Sequence, residues 1–453
     1  MVLEREGTIM GNRAQLTQEE KERIYQGKLQ GRTLPELAKE LRCSVETTRK
    51  WWRTAREKGL SGLRVRRRGR SATGILSRFQ PLIAEKAEVH KHTHPGWGAE
   101  RVLIELRQDP QLVGFCLPKR SRLASFFKKQ CPECVARRTP RPPAPGKGSK
   151  ATAVHEIWQL DNQEGIELTN GEVAIICNIR DPFGAAPIAS QAFSGKTQKR
   201  WRKLEVAEFR QVLRAGFTEW QTLPDSVWTD NELRLIGNPS SDFPSLLTLY
   251  LAGLGIKHEF IRPGTPTDQP QVERGHRTLD DWALDEEARK GIPQLQQALD
   301  RERRVYLLEF PCQASDCAGR PPLIAHPELL HPRRYFQPDL ELQLFSLQRV
   351  YDYLATFTFE RKISDSGCVA LTRQVSIGRK FARLLKDRLV WVRCDPLHHE
   401  WVIYKKPANE QTAWVELVRR PIKNLDVETL TGLDPRSSQP ATPVQLTLPF
   451  LVA

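Results

Sequence analysis

Three acidic residues stand where a pair of divalent cations could be held: Asp161, Asp230 and Glu273. Asp161 closes the run Ile157, Trp158, Gln159, Leu160, and Asp230 closes Ser226, Val227, Trp228, Thr229, so each carboxylate ends a stretch rich in β-formers. Glu273 follows a breaker-rich segment, 262–270, and opens a helical pattern in which Val272, His276, Leu279 and Ala283 recur. Carboxylate oxygens suit Mg²⁺, and two such ions about 3.5–4 Å apart clamp the attacking and leaving oxygens of an in-line phosphoryl displacement. The chemistry this implies is metal-dependent cleavage or transfer of a phosphodiester. Glu232 is a weaker rival ligand, while Asp181, Asp225, Asp242 and Asp268 read as solvated surface charges.

The elements that must position these acids follow from periodicity. Strands are expected at 156–161, 172–180, 186–193, 225–229 and 256–261, with helices at about 203–220 and 243–253, then the Glu273 helix and another near 294–310. Three consecutive strands followed by alternating helices and strands is the ribonuclease-H-like order, and it predicts an α/β core with a mixed five-stranded sheet over 153–292. A helical extension and Pro-rich linker follow at 293–354. Short strand-like runs from 355 to 425 predict a small all-β barrel.

Residues 1–63 read as an α-helical, helix-turn-helix domain. Thr17, Thr33 and Ser44 cap three helices, and in the third Val45, Thr48, Trp52 and Ala55 are expected to face the core, leaving Thr47, Arg49, Lys50 and Arg53 for a DNA major groove. A generic three-helix interaction module is the bland alternative. Arg64, Arg66, Arg67, Arg68 and Arg70 then place five arginines in seven residues, within a linker (64–74) that follows a DNA backbone or minor groove or serves as a solvated tether. Residues 75–135 read as a second helix-turn-helix, whose last helix turns Leu123, Phe126 and Phe127 inward and Arg122, Ser125, Lys128 and Lys129 outward. A Pro- and basic-rich linker spans 136–152.

Charge is divided in a way that fits this order. Residues 1–150 carry +18, residues 151–360 carry −8, residues 361–425 carry +8 and the remainder −2, within a total of +16. Basic flanks that neutralise phosphates around an acidic, cation-holding centre suit an enzyme acting on nucleic acid. No apolar run is long enough for a membrane helix, so no membrane association is expected. Nine scattered cysteines point to reduced thiols and a cytoplasmic protein.

The core resembles that of DDE-type transposases and retroviral integrases. The resemblance is carried by Trp158-Gln159-Leu160-Asp161, by Trp228-Thr229-Asp230-Asn231, and by Arg262-Pro263-Gly264-Thr265-Pro266 leading to Gln271-Val272-Glu273-Arg274. It extends to both helix-turn-helix segments, which resemble those of insertion-sequence transposases, and to the C-terminal barrel, which resembles that of phage-Mu-type transposases. The chain departs from the pattern after Asn231, where an early glycine is expected and Glu232-Leu233-Arg234 stands instead.

The resemblance implies a bacterial, nucleoid-associated transposase or integrase. It would bind transposon ends, nick them, and join 3′-hydroxyl ends to target DNA by transesterification. Asp161, Asp230 and Glu273 would hold two Mg²⁺ per active site, with Mn²⁺ able to substitute, and Arg274 and His276 would stand nearest the DNA. It further implies a DNA-induced homo-oligomer and leaves room for an accessory ATPase. A transposase-derived DNA-binding protein with a silent core and a plain endonuclease of the same fold are the alternatives.

Two smaller motifs remain. His90 and His94 with Cys131 and Cys134 resemble the ligands of the integrase-type zinc module; otherwise they are turn histidines and two thiols. In the flexible tail expected at 426–453, Gln445, Leu446, Leu448 and Phe450 resemble a bacterial sliding-clamp-binding motif, with packing back on the chain as the alternative.

Overall fold

The computed structural model describes residues 16–63, 74–135, 151–195, 202–230, 242–261, 278, 281–314, 316–385, 387–405 and 414–435. Two compact units divide the chain, Met1–Gly74 and Ile75–Ala453.

The first unit is a three-helix bundle: α1 (Gln18–Leu29), α2 (Leu34–Glu40) and α3 (Val45–Lys58). Thr17 and Thr33 form capping boxes with Glu20 and Glu36, and the Ser44 hydroxyl accepts from Thr47 N, so each helix start has its exposed N–H groups satisfied. Leu16, Ile24, Leu41, Thr48 and Ala55 are buried between the helices, with Trp51 and Trp52 packed beside them. Val45, expected inside, is exposed, because the first residue of α3 lies beyond the bundle's contact with α1 and α2.

The second unit opens with α4 (Pro81–Thr93), α5 (Ala99–Gln108) and α6 (Arg120–Gln130). Instead of a domain held apart from the core, these helices are packed onto it. Val102, Leu103, Leu106 and Phe127 share one apolar cluster with Trp282, Tyr306, Cys312 and Cys317. The Arg101 guanidinium, with no exposed side-chain surface, donates to both carboxylate oxygens of Glu302 at 2.7 and 3.1 Å. Gly96 lies so close to the Asp281 carbonyl that an added Cβ would fall 1.7 Å from its oxygen.

The central sheet has the order β3-β2-β1-β4-β5, formed by β1 (Ile157–Glu167), β2 (Val173–Asp181), β3 (Ala186–Ser194), β4 (Ser226–Thr229) and β5 (Lys257–Phe260). The first three strands are antiparallel neighbours, and β4 and β5 run parallel to β1. This is the expected mixed five-stranded sheet. Trp158, Leu160, Ile175, Cys177 and Ile179 pack on one face against α7 (Val206–Trp220) and α8 (Leu246–Gly253). Ile166, Ala174 and Ile176 pack on the other against α9 (Ile292–Leu308). The two faces alternate along each strand, as period-two side chains require.

The segment expected as a Pro-rich linker is largely packed, with Leu323, Leu329, Phe336 and Phe345 buried against the core. His155 explains part of this: its Nδ1 accepts from the Trp158 indole at 3.2 Å, leaving Nε2–H to donate to the Leu329 carbonyl at 2.9 Å. After α10 (Leu347–Ala355) comes an antiparallel sheet of order β11-β10-β9-β6, made of β6 (Phe359–Lys362), β9 (Leu389–Asp395), β10 (Glu400–Lys405) and β11 (Val415–Pro421). A separate hairpin pairs β7 (Cys368–Ala370) with β8 (Gln374–Ser376), so the all-β region expected here is built, among the described residues, from two antiparallel sheets. Phe243 joins the α/β core to this region through ring contacts of 5.0 Å with Phe359 and 6.0 Å with Trp401.

Candidate active site

Asp161 lies on β1 opposite Asn178 of β2. The neighbouring parallel pair, Gln159 with Trp228, sets β1 against β4, and Asp161 and Asp230 each follow their member of that pair by two residues. Side chains two apart on a strand share a face, and adjacent strands lie about 4.8 Å apart, so the two acids lie on one face of the sheet, Asp230 just beyond the end of β4 and Asp161 inside β1, which runs on to Glu167 instead of closing at 161 as expected. The face is that of Ile176 and Ala174, which α9 covers. Both acids are half-buried.

Polar contacts lie beside both positions. The Asp161 carboxylate accepts from Asn162 N at 2.9 Å. Just before Asp230, the Thr229 hydroxyl lies 3.0 Å from His258 Nε2, and His258 Nδ1 lies 2.9 Å from the Thr248 hydroxyl, tying the ends of β4, β5 and α8 together. Burial pushes the His258 pKa down to about 4, so the imidazole is neutral near pH 7. Asn178, Ser190 and His258 were not singled out in the sequence, although Asn178 interrupts an apolar strand (Ile175, Ile176, Cys177, Ile179) and a buried polar residue there needs a reason.

Glu273, Arg274, His276 and Glu232 lie outside the described residues, as do Arg64, Arg66, Arg67, Arg68, Arg70 and Asp268 and the tail residues Gln445, Leu446, Leu448 and Phe450. Of the acids read as surface charges, Asp225 pairs with Arg333 at 2.6 Å and Asp242 with Arg361 at 2.5 Å. Asp181 is a correction. It is fully buried, accepts from the backbone N–H groups of His155 and Gly184 at 2.6 and 2.8 Å, and has its pKa raised to about 6 by burial.

The candidate DNA-contact positions are presented as their helices dictate. Arg49, Lys50 and Arg53 are exposed on α3 and Thr47 is half-buried; Arg122, Ser125, Lys128 and Lys129 are exposed on α6.

The four zinc-type residues are not brought together. His90 and His94 face Trp97, with ring centroids 6.0 and 3.7 Å from it, and His94 Nδ1 is 3.1 Å from Asp285. His92, two residues along α4 and therefore about 200° around the helix, is the histidine beside the thiols, 3.6 Å from Cys134 Sγ. Among the described residues the compact donor groups are Glu88, His92 and Cys131, and His92, Glu133 and Cys134. Burial raises the pKa of both thiols.

No helix among the described residues is long and apolar enough to cross a membrane. Residues 20–71 match the family model of a helix-turn-helix domain, and residues 254–311 match that of the integrase core domain. The latter span contains β5, the Glu273 position and α9, and excludes Asp161 and Asp230. Among solved structures, the chain is similar to a simian T-cell lymphotropic virus intasome in complex with PP2A regulatory subunit B56 gamma, at 14% identity and a TM-score of 0.31, covering 74% of this chain and 98% of that one. It is also similar to the BIV integrase catalytic core, at 18% identity and TM-score 0.27, covering 39% and 97%. A third is the HTLV-2 integrase catalytic core in complex with magnesium, at 14% identity and TM-score 0.28, covering 39% and 99%.

Proposed function

We propose, from a chain that carries a helix-turn-helix domain ahead of an integrase-type core, that it is a DNA transposase which nicks the ends of its element and joins their 3′-hydroxyls to target DNA. The observation that supports this reading is that Asp161, within β1, and Asp230, just beyond the end of β4, lie on the same face of two adjacent parallel strands. Two half-buried hard carboxylate donors on one face of adjacent strands would suit a divalent cation, and Glu273, at the start of the following helical pattern, would complete the set. Bound Mg²⁺ would supply Lewis-acid polarisation of the phosphate and activation of the attacking oxygen.

The chain's own residues have positional tasks. Asp161 and Asp230 would accept the cations, and the Thr229–His258–Thr248 contacts hold the strand end from which Asp230 projects. The exposed cations of α3 and α6 would bind DNA phosphates and bases, and because a synapse joins two ends, more than one protomer is needed.

Asp161→Asn, Asp230→Asn and Glu273→Gln should each lower cleavage and joining by at least about 100-fold while DNA affinity is retained. Wild-type turnover in one of them would remove that residue from the site. A protein that cleaves with all three acids intact and never joins ends would be a plain endonuclease, and one that only binds would be a DNA-binding derivative.

A further inference from the structure

The polar row that begins at Asp161 continues across the sheet. Asn178 is the cross-strand partner of Asp161, and Ser190 is that of Asn178, so the three side chains share one face. That face lies under α9, whose Gln296 accepts from Ala192 N and donates to the Ser190 carbonyl, each at 2.9 Å. The Ser190 hydroxyl donates to Asn178 Oδ1 at 2.5 Å. Asn178 is only 3% exposed, yet its Nδ2 has no hydrogen-bond partner among the described residues.

An amide carries its oxygen on one edge and its N–H groups on the other. With Oδ1 taken from the β3 side, Nδ2 is left toward β1, where the neighbour in register is Asp161. The opposite orientation would set Oδ1 against a carboxylate. Buried N–H groups are almost always paired in a completed structure.

We propose that Asn178, turned by Ser190, is a positioning residue that donates from Nδ2 to the Asp161 carboxylate when that carboxylate binds a divalent cation. The inference rests on the metal-dependent reading above. A carboxylate that gives lone pairs to a cation keeps others for an N–H, and a partner of this kind fixes the ligand's orientation and raises metal affinity.

The test uses the full-length protein, with Mn²⁺ binding followed by electron paramagnetic resonance and nicking of supercoiled plasmid followed against Mg²⁺ concentration. Asn178→Leu keeps the side chain's size and removes both polar edges. It should raise the half-saturating Mn²⁺ and Mg²⁺ by about 10- to 100-fold, with much of the nicking rate recovered at saturating metal. Ser190→Ala should shift both in the same sense by less. A purely structural role would lower the unfolding midpoint and leave the metal dependence in place, as Ile176→Ala on the same face should do. Unshifted metal dependence in Asn178→Leu and Ser190→Ala overturns the proposal. If Asn178→Leu does not fold, Asn178→Ser replaces it under the same two outcomes. Asp161→Asn separates the levels: if it binds Mn²⁺ and nicks like wild type, the metal-site reading itself fails, whereas a dead Asp161→Asn beside an unshifted Asn178→Leu removes only the role of Asn178.

Discussion

Arg101 has no exposed side-chain surface and sits between Glu105, at 2.6 Å, and Glu302, with its guanidinium over the Trp97 ring at 4.0 Å. Removing one member of a buried pair leaves the other charged and dry, at a cost of about 3–5 kcal/mol. Arg101→Ala should therefore lower the denaturant midpoint of the second unit strongly, while the double variant Arg101→Met with Glu302→Leu should recover most of it. Equal losses in the single and double variants would show that shape, not charge, sets the cost. At the thiols, metal analysis of purified protein distinguishes two placements. If the Glu88, His92, Glu133 and cysteine group binds zinc, His92→Ala should abolish binding and His90→Ala should not; the reverse result would restore the ligand set that the spacing of His90 and His94 implied.

Among the elements, the β4–β5–α8 junction has a pH dependence of defined sign. The folded pKa of His258 is about 4, below the ordinary 6.5, because burial disfavours the imidazolium. The unfolded chain then binds more protons between these values, so stability is fully present above about pH 6.5 and is lost as pH falls toward 4, by up to about 3 kcal/mol from this group. His258→Gln should be less stable at pH 8 yet show a flatter decline from pH 6.5 to 4, as read from urea unfolding at each pH. The strands and helices around this junction were legible in the sequence, and Asp230 does follow the end of its strand, but Asp161, read as closing a strand at 156–161, lies inside β1, which runs on to Glu167 through polar residues that carry no apolar signal. What escaped was set by contacts remote in sequence. Asp181 looked like a surface charge because its three-dimensional shell of backbone donors, from His155 and Gly184, has no local signature. Asn178 and Ser190 lie on different strands, and only the register makes them partners. The Pro-rich segment after 320 looked like a linker on composition alone, whereas Leu329 and Phe336 bury it. Likewise the parity that separates His92 from His90 and His94 depends on which flank of α4 meets the core.

For the whole molecule, the basic outer segments and acidic centre lead to a prediction about salt. Specific duplex binding should weaken steeply as salt rises, and Lys50→Ala or Arg53→Ala should each reduce the slope of log affinity against log salt by about 1 if the residue contacts a phosphate. An unchanged slope would take that residue off the backbone. The docking of α4–α6 on the core has another consequence. Gly96 against Asp281, Arg101 against Glu302 and the shared apolar cluster tie α4–α6, and with them the exposed face of α6, to the core whose strands bear Asp161 and Asp230. If α6 grips DNA, the distance from grip to cut is then built into the protein as a ruler. Inserting base pairs between the two points in the DNA should move the nick by the same number of steps, keeping it at constant reach from the gripped sequence and ignoring what sequence lies there.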